Sequence, residues 1–187
     1  SLTTHDVANS INNITGQSAC KWLVMEWDGR ESSGIFVGNP IGWLLRNVNS
    51  SLALFKDNGI RSFSKVLIAI RPGRRNKRFI DVADKICRHF GASLTLLNIV
   101  SETDSNQKIK RTEKSSIELI SETKSKSVVK VIKSNNPVEA ISEESASYDL
   151  LILGTPEKDN WISVLFGAGE DRFVKKAACS VLRLTIK

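Results

Sequence analysis

Histidine and cysteine are scarce in this 187-residue chain, which has two of the first and three of the second. Cys20, Cys87 and Cys179 stand far apart, within or beside apolar runs. An odd, unclustered set argues against a disulfide framework and against a zinc site, both of which need closely spaced ligands. The cysteines read instead as small buried hydrophobes in a reducing compartment. His5 and His89 are a poor supply for metal or triad chemistry. No apolar stretch approaches the ~20 residues of a membrane-spanning helix, so the chain is expected to be soluble as it stands. An initiator Met and a signal-peptide pattern are also missing, and Ser1-Leu2-Thr3-Thr4 reads as a cut edge.

What is there is a 41% hydrophobic content, enough for one good core with an appendage. Lys and Arg number 27 against 20 Asp and Glu, a net charge of +7. That excess points to an anionic neighbour, or to a solvated lysine-rich surface. The end of the chain also resembles its beginning. Tyr148-Asp149-Leu150-Leu151-Ile152-Leu153-Gly154 reads like Cys20-Lys21-Trp22-Leu23-Val24-Met25-Glu26. Each run leads into a glycine-containing polar loop, a short helix and one more apolar run. Gly167 parallels Gly38, Phe173-Val174 parallels Leu44-Leu45, and Ser180-Val181-Leu182 parallels Ser51-Leu52-Ala53. A repeat of domain length is a duplicated domain rather than a solenoid, and only the last third of the first copy is present.

Lys65–Ile70 is a continuous apolar run of the kind a strand buried on both faces shows. Phe79, Val82, Ala83, Ile86, Cys87 and Phe90 follow at helical spacing, with Gly91 just past the end. Ser93–Val100 is a second strand, 105–124 a polar surface helix, and Val128–Ile132 a third strand. Asn136-Pro137-Val138-Glu139 signals a helix start, with Asn at N-cap, Pro at N1 and Glu at N3 to reach back. That helix runs to about Ser145. Leu150–Leu153, a helix over 172–178 and Val181–Ile186 complete the series. In the N-terminal part, Val7, Ile11 and Ile14 mark a helix face and Trp22–Met25 a strand. Ile41–Val48 is a helix and Leu52–Phe55 a last strand. Alternating strands and helices predict an α/β fold: a doubly wound, mostly parallel five-stranded sheet with a partial second copy packed on it. The expected division is 1–57 for the partial copy, 58–64 for a linker and 65–187 for the complete domain.

The order β-α-β-α-β-α-β-glycine loop-α-β resembles the universal stress protein domain, of the adenine nucleotide alpha hydrolase-like type. Lys65–Ile70 resembles its first strand and Tyr148–Gly154 its fourth. The resemblance implies a phosphate loop after the fourth strand, of the form G-x2-G-x9-G-[S/T], where glycines and a helix N-terminus meet the phosphates of ATP or AMP. Here Gly154 and Gly167 keep the spacing, but Glu157 replaces the middle glycine and Ala168 the hydroxyl residue. A carboxylate at 157 would repel phosphates and lacks glycine's backbone freedom. Arg71 replaces the acidic residue that ends the first strand, and with Gly73 it completes the expected, degenerate cofactor site. The first copy carries Glu26, Gly29 and Gly38-Asn39 in the same loop, one residue short.

Arg71, Arg74, Arg75, Lys77 and Arg78 put five basic residues into eight, at the carboxyl end of a strand where doubly wound folds bind ligands. Two readings stand side by side. One is an anion site for phosphates, an acidic partner or an anionic membrane surface; the other is a solvated cluster. Nucleic acid is not expected, because no aromatic residues interleave with the arginines. Trp22 and Trp43 lie within repeat elements and suit packing; Trp161, in the loop, is also open to a ligand contact. No catalytic constellation emerges. His89 suits the end of a helix, and Glu143-Glu144 and Glu170-Asp171 are adjacent pairs that do not face each other.

The chain is therefore expected not to be an enzyme. The resemblance implies either of two roles. The first is a cytoplasmic regulatory or assembly module of a larger membrane transport protein, such as an amino acid permease, cation–chloride cotransporter or antiporter. It would be tethered to the membrane and in contact with the membrane domain of the same protein. The alternative is a tandem stress protein that binds ATP or AMP. In this family the fifth strand commonly pairs with its counterpart in another copy. Leu52–Phe55 and Val181–Ile186 are thus expected to pair, in a homodimer or as a pseudo-dimer within one chain.

Overall fold

In the computed structural model, the alternating apolar runs and amphipathic stretches form one sheet with helices on both faces. The structure describes residues 7–17, 20–28, 44, 47–70, 76–155 and 171–187. In chain order these contain α1 (Val7–Gln17), β1 (Trp22–Glu26), β2 (Ser51–Lys56), β3 (Lys65–Ala69), α2 (Asn76–Phe90) and β4 (Ser93–Val100). There follow α3 (Asn106–Ile120), β5 (Ser127–Lys133), α4 (Pro137–Ser145), β6 (Leu150–Gly154), α5 (Arg172–Lys176) and β7 (Ser180–Thr185). The strands lie in the order β1-β2-β7-β6-β3-β4-β5. All neighbours are parallel except β2 and β7. The expected five-stranded sheet is thus part of a seven-stranded one.

Position in the sheet explains composition. β3 and β6 are central, and Val66, Leu67, Ile68, Leu151 and Ile152 are fully buried. Continuous apolar runs suit strands covered on both faces. β5 is an edge, and its residues alternate between more and less exposed. One core layer joins β3, β4, β6 and β7 to Ile141 of α4 and Val174 of α5. The opposite layer packs Phe79, Ile80, Ala83 and Cys87 of α2 on the sheet. Truncating a fully buried Leu to Ala in such layers costs on the order of 2–5 kcal/mol.

The helix ends follow local chemistry. Gly91 has φ 68° after α2, and the Ala92 amide donates to the Cys87 carbonyl at 2.8 Å, a Schellman closure. Pro137 opens α4, where Asn136 Oδ1 accepts from the Glu139 amide at 3.4 Å. Glu139 does not reach back as the capping-box pattern predicts; its carboxylate pairs with Lys176, and the Asn136 amide donates to Ser134. α3 stops at Ile120, short of the predicted 124. The Lys124 and Ser125 amides donate instead to Asp84 of α2, at 3.0 and 2.8 Å.

β2 meets β7 within the one chain, Leu52 opposite Thr185 and Leu54 opposite Arg183. The segment after β2 is pinned to β7. The Asn58 amide donates to Ser180 Oγ and Asn58 Nδ2 to the Cys179 carbonyl, both at 2.9 Å. Asp57 Oδ1 accepts from the amide of Gly59, which has φ 83°. The two parallel pairs β1–β2 and β6–β7 also keep one register. Trp22 pairs with Ser51 as Leu150 pairs with Ser180, and Glu26 with Phe55 as Gly154 with Leu184. Past the strands, Trp27 donates to the Phe55 carbonyl and Thr155 to that of Leu184, at 2.8 and 2.9 Å.

Candidate functional site

β3 and β4 end side by side beneath α2 and α3. The carboxyl ends of parallel strands near the point where the strand order reverses are where doubly wound sheets take ligands. An open cleft of about 240 Å³ lies there. Ile70, Leu96 and Leu119 supply its apolar wall, and Asn76 stands at its α2 side. Arg111, Thr112, Ser115 and Ser116 come from α3, and Asn98 from β4. Arg111 is exposed and makes no ion pair with any described residue. An exposed guanidinium beside an apolar wall suits a ligand that is flat at one end and anionic at the other.

Asn98 is the buried polar residue of this cleft, 8% exposed. Its Nδ2 donates to Ser116 Oγ at 2.8 Å, and the Ser116 hydroxyl donates in turn to the Thr112 carbonyl at 2.7 Å. Neither Asn98, Ser116 nor Arg111 was singled out by the sequence patterns above. The available signal was a lone amide within the apolar run Leu96–Val100, where a polar side chain needs a partner.

The predicted site residues fare differently. Arg71, Gly73, Arg74, Arg75, Glu157, Gly167, Ala168, Trp43 and Trp161 lie outside the described residues. Ile70 just before the basic segment and Asn76 within it both line the cleft. Lys77 and Arg78 are engaged elsewhere. Lys77 pairs with Glu122 on the open surface, and this hydrogen bond and charge raise the Lys77 pKa and lower that of Glu122. Arg78 Nη1 donates to the Lys187 carbonyl at 3.1 Å.

Gly154 has a packing reason for lacking a side chain. A Cβ there would stand 3.1 Å from Phe79 Cε2 and 3.2 Å from Ile70 Cγ2, tight contacts that need these side chains to yield by a few tenths of an ångström. Its φ is not in the left-handed region, so the close approach of α2 to β6, and not backbone freedom, is the reason the structure gives for glycine here. Thr155 ties the strand end to β7, with its Oγ1 2.9 Å from Thr185 Oγ1.

Other candidates resolve into structure. Asp171 caps α5 by accepting from the Phe173 and Val174 amides, and pairs with buried Arg183 at 3.3 Å. Burial pushes the Cys87 and Cys179 thiols up to about 11. Trp27 is buried against Leu52 and Leu54, and Trp22 packs partly buried on the other layer. Among the described residues, no three His, Cys, Asp or Glu side chains converge as metal ligands. Nor is any described helix long and apolar enough to cross a membrane.

This is an open α/β domain with a polar-tipped cleft at its strand ends. Its sequence matches the universal stress protein family over residues 62–184, and the chain belongs to that family. The fold is similar to that of a universal stress protein from Archaeoglobus fulgidus DSM 4304, with TM-score 0.68 and 15% identity. That alignment covers 95% of this chain but 64% of the other, so the chain spans less than two thirds of that protein. A universal stress protein from Archaeoglobus fulgidus in complex with dAMP matches with TM-score 0.51 and 13% identity, over 67% of this chain and 100% of its own. A universal stress protein in complex with cAMP matches with TM-score 0.52 and 16% identity, over 66% and 97%. Among curated proteins, none matches the sequence.

Proposed function

We propose that this chain is a nucleotide-binding domain that takes an adenosine nucleotide, AMP or ATP, into the cleft at the ends of β3 and β4. The observation that carries this reading is the pairing of an apolar wall with a cation, Arg111, that makes no ion pair with any described residue, at the strand ends. The dAMP and cAMP complexes of proteins with this fold support it. The described residues that line the cleft are apolar, amide, hydroxyl and guanidinium side chains, which suits binding. Calorimetric titration with AMP, ADP and ATP tests it. Micromolar binding is expected, weakened about tenfold or more in Arg111→Ala by loss of a charge-assisted contact. Ser115→Phe, which fills the cleft from an exposed position, should abolish binding in a protein that keeps its circular dichroism. Flat traces with all three nucleotides would refute the reading.

A second reading is favoured by Glu157 and Ala168, which stand where nucleotide-binding members carry a glycine and a hydroxyl residue. On it the chain is a cytoplasmic regulatory or assembly module of a larger membrane transport protein, and the basic segment with Arg71, Arg74 and Arg75 meets an acidic partner or membrane surface. Flat nucleotide traces together with binding to anionic vesicles would favour it.

We also propose that β1 and β2 are the tail of a further copy of the domain, joined through β2 and β7 as a pseudo-dimer. The matching registers of β1 on β2 and β6 on β7 support this. So does the longer Archaeoglobus alignment, which extends over nearly the whole chain.

A further inference from the structure

We propose that Asn98 selects the base, admitting a 6-amino purine and rejecting a 6-oxo one. This rests on the nucleotide reading of the cleft and adds a residue that reads the ligand.

The argument begins with one proton. Ser116 Oγ lies 2.7 Å from the Thr112 carbonyl, a group that only accepts. The serine proton is therefore committed to Thr112, and towards Asn98, at 2.8 Å, the same oxygen can only accept. The Asn98 atom that faces Ser116 must be the amino group. An asparagine amide assigned by its surroundings can in general be turned over, but this chain of donors leaves one orientation. Oδ1 is left as the acceptor that Asn98 turns to the cleft, and it makes no hydrogen bond with any described residue. Asn98 is only 8% exposed as a residue, and it lines the cleft, where water or a ligand can meet this acceptor.

Around that acceptor the wall is aliphatic. Ile70, Leu96 and Leu119 suit the face of a planar ring, and Arg111 stands on the α3 side for an anionic group. A ring lying on this wall presents its edge to Asn98. The exocyclic amine of adenine is a donor and satisfies Oδ1; the 6-oxo group of hypoxanthine is an acceptor and faces it lone pair to lone pair. A site built around one polar partner rejects the analogue that leaves the partner unpaired.

The test is calorimetric titration of the full chain with AMP, with IMP and with purine riboside 5′-monophosphate, which carries hydrogen in place of the amine. AMP is expected to bind about 10–100-fold more tightly than IMP, with the purine analogue between them. Asn98→Ala should weaken AMP and bring the three together. Ser116→Ala is the sharper variant, because it leaves Asn98 in place but removes the group that holds its amide. The freed amide can turn its amino group to the ligand, so AMP should weaken while IMP gains. A merely structural role would weaken both alike. Equal affinity for AMP and IMP in the unaltered chain overturns the proposal and leaves the nucleotide reading standing. So does a preference for AMP that Asn98→Ala leaves intact. Absence of binding by all three overturns both.

Discussion

Replacing Asp84 by alanine should destabilise the domain more than any surface change, though Asp84 sits mid-helix with nothing in the local pattern to mark it. Its Oδ1 accepts from the Lys124 amide at 3.0 Å and from the Ser125 amide and hydroxyl at 2.8 Å each. Arg88 Nε pairs with Oδ2 at 3.1 Å, one helical turn on. The residue is 8% exposed. Hydrogen bonds to a charged group contribute about 1.5–3 kcal/mol each. Against their sum stand the cost of burying a carboxylate and the water that reaches exposed Lys124 once Asp84 is gone. A net loss of about 2–4 kcal/mol follows, or a fall in Tm of roughly 5–15 °C for a chain of this size. Asp84→Asn keeps one acceptor without charge and should lose about half as much.

The pH dependence has a definite sign. Burial alone would raise the Asp84 pKa. The Ser125 amide and hydroxyl, the Lys124 amide and Arg88 outweigh it and hold the carboxyl below its ordinary value near 3.8. A carboxyl depressed by folding contributes stability fully above its unfolded value, and loses it as pH falls through the folded one. In urea titrations the gap between the unaltered chain and Asp84→Ala should therefore hold from pH 7 to about 4.5 and narrow below. A gap under about 0.5 kcal/mol at pH 7, or one unchanged at pH 2.5, would refute the reasoning.

Two other outcomes are expected from packing and burial. Gly154→Ala should cost about 1–2 kcal/mol despite the stiffer unfolded chain, since Phe79 is 4% exposed and has little room to yield. Phe79→Leu in the same chain should recover part of that loss; a double-mutant cycle with no coupling would count against packing as the reason for this glycine. In the native chain at pH 8, Cys87 and Cys179 should resist alkylation, being buried with thiols at about 11, while half-buried Cys20 reacts first. Mass spectrometry of the modified protein reads the order, and early labelling of Cys87 would contradict it.

The order of strands and helices, the ends of α2 and α4 and the family were legible in the sequence because their signals are local. Buried strands such as β3 and β6 are written as apolar runs, and helix ends as an Asn-Pro pair or a glycine just past the last turn. The likeness of β2 to β7 was also visible, and it predicted that they pair. Whether they pair within one chain or between two, and in which direction, was left open, because register between distant segments depends on how whole faces fit. Gly154 looked like a phosphate-loop residue, and only the approach of Phe79 and Ile70 gave it another reason. Asp84 closes a turn 40 residues along the chain, and Asn98 is oriented by a serine 18 residues away. Sequence alone determined which segments are buried and in what order they come. The tertiary structure decided which polar groups meet, because a buried donor takes whatever acceptor the packing places within about 3 Å of it.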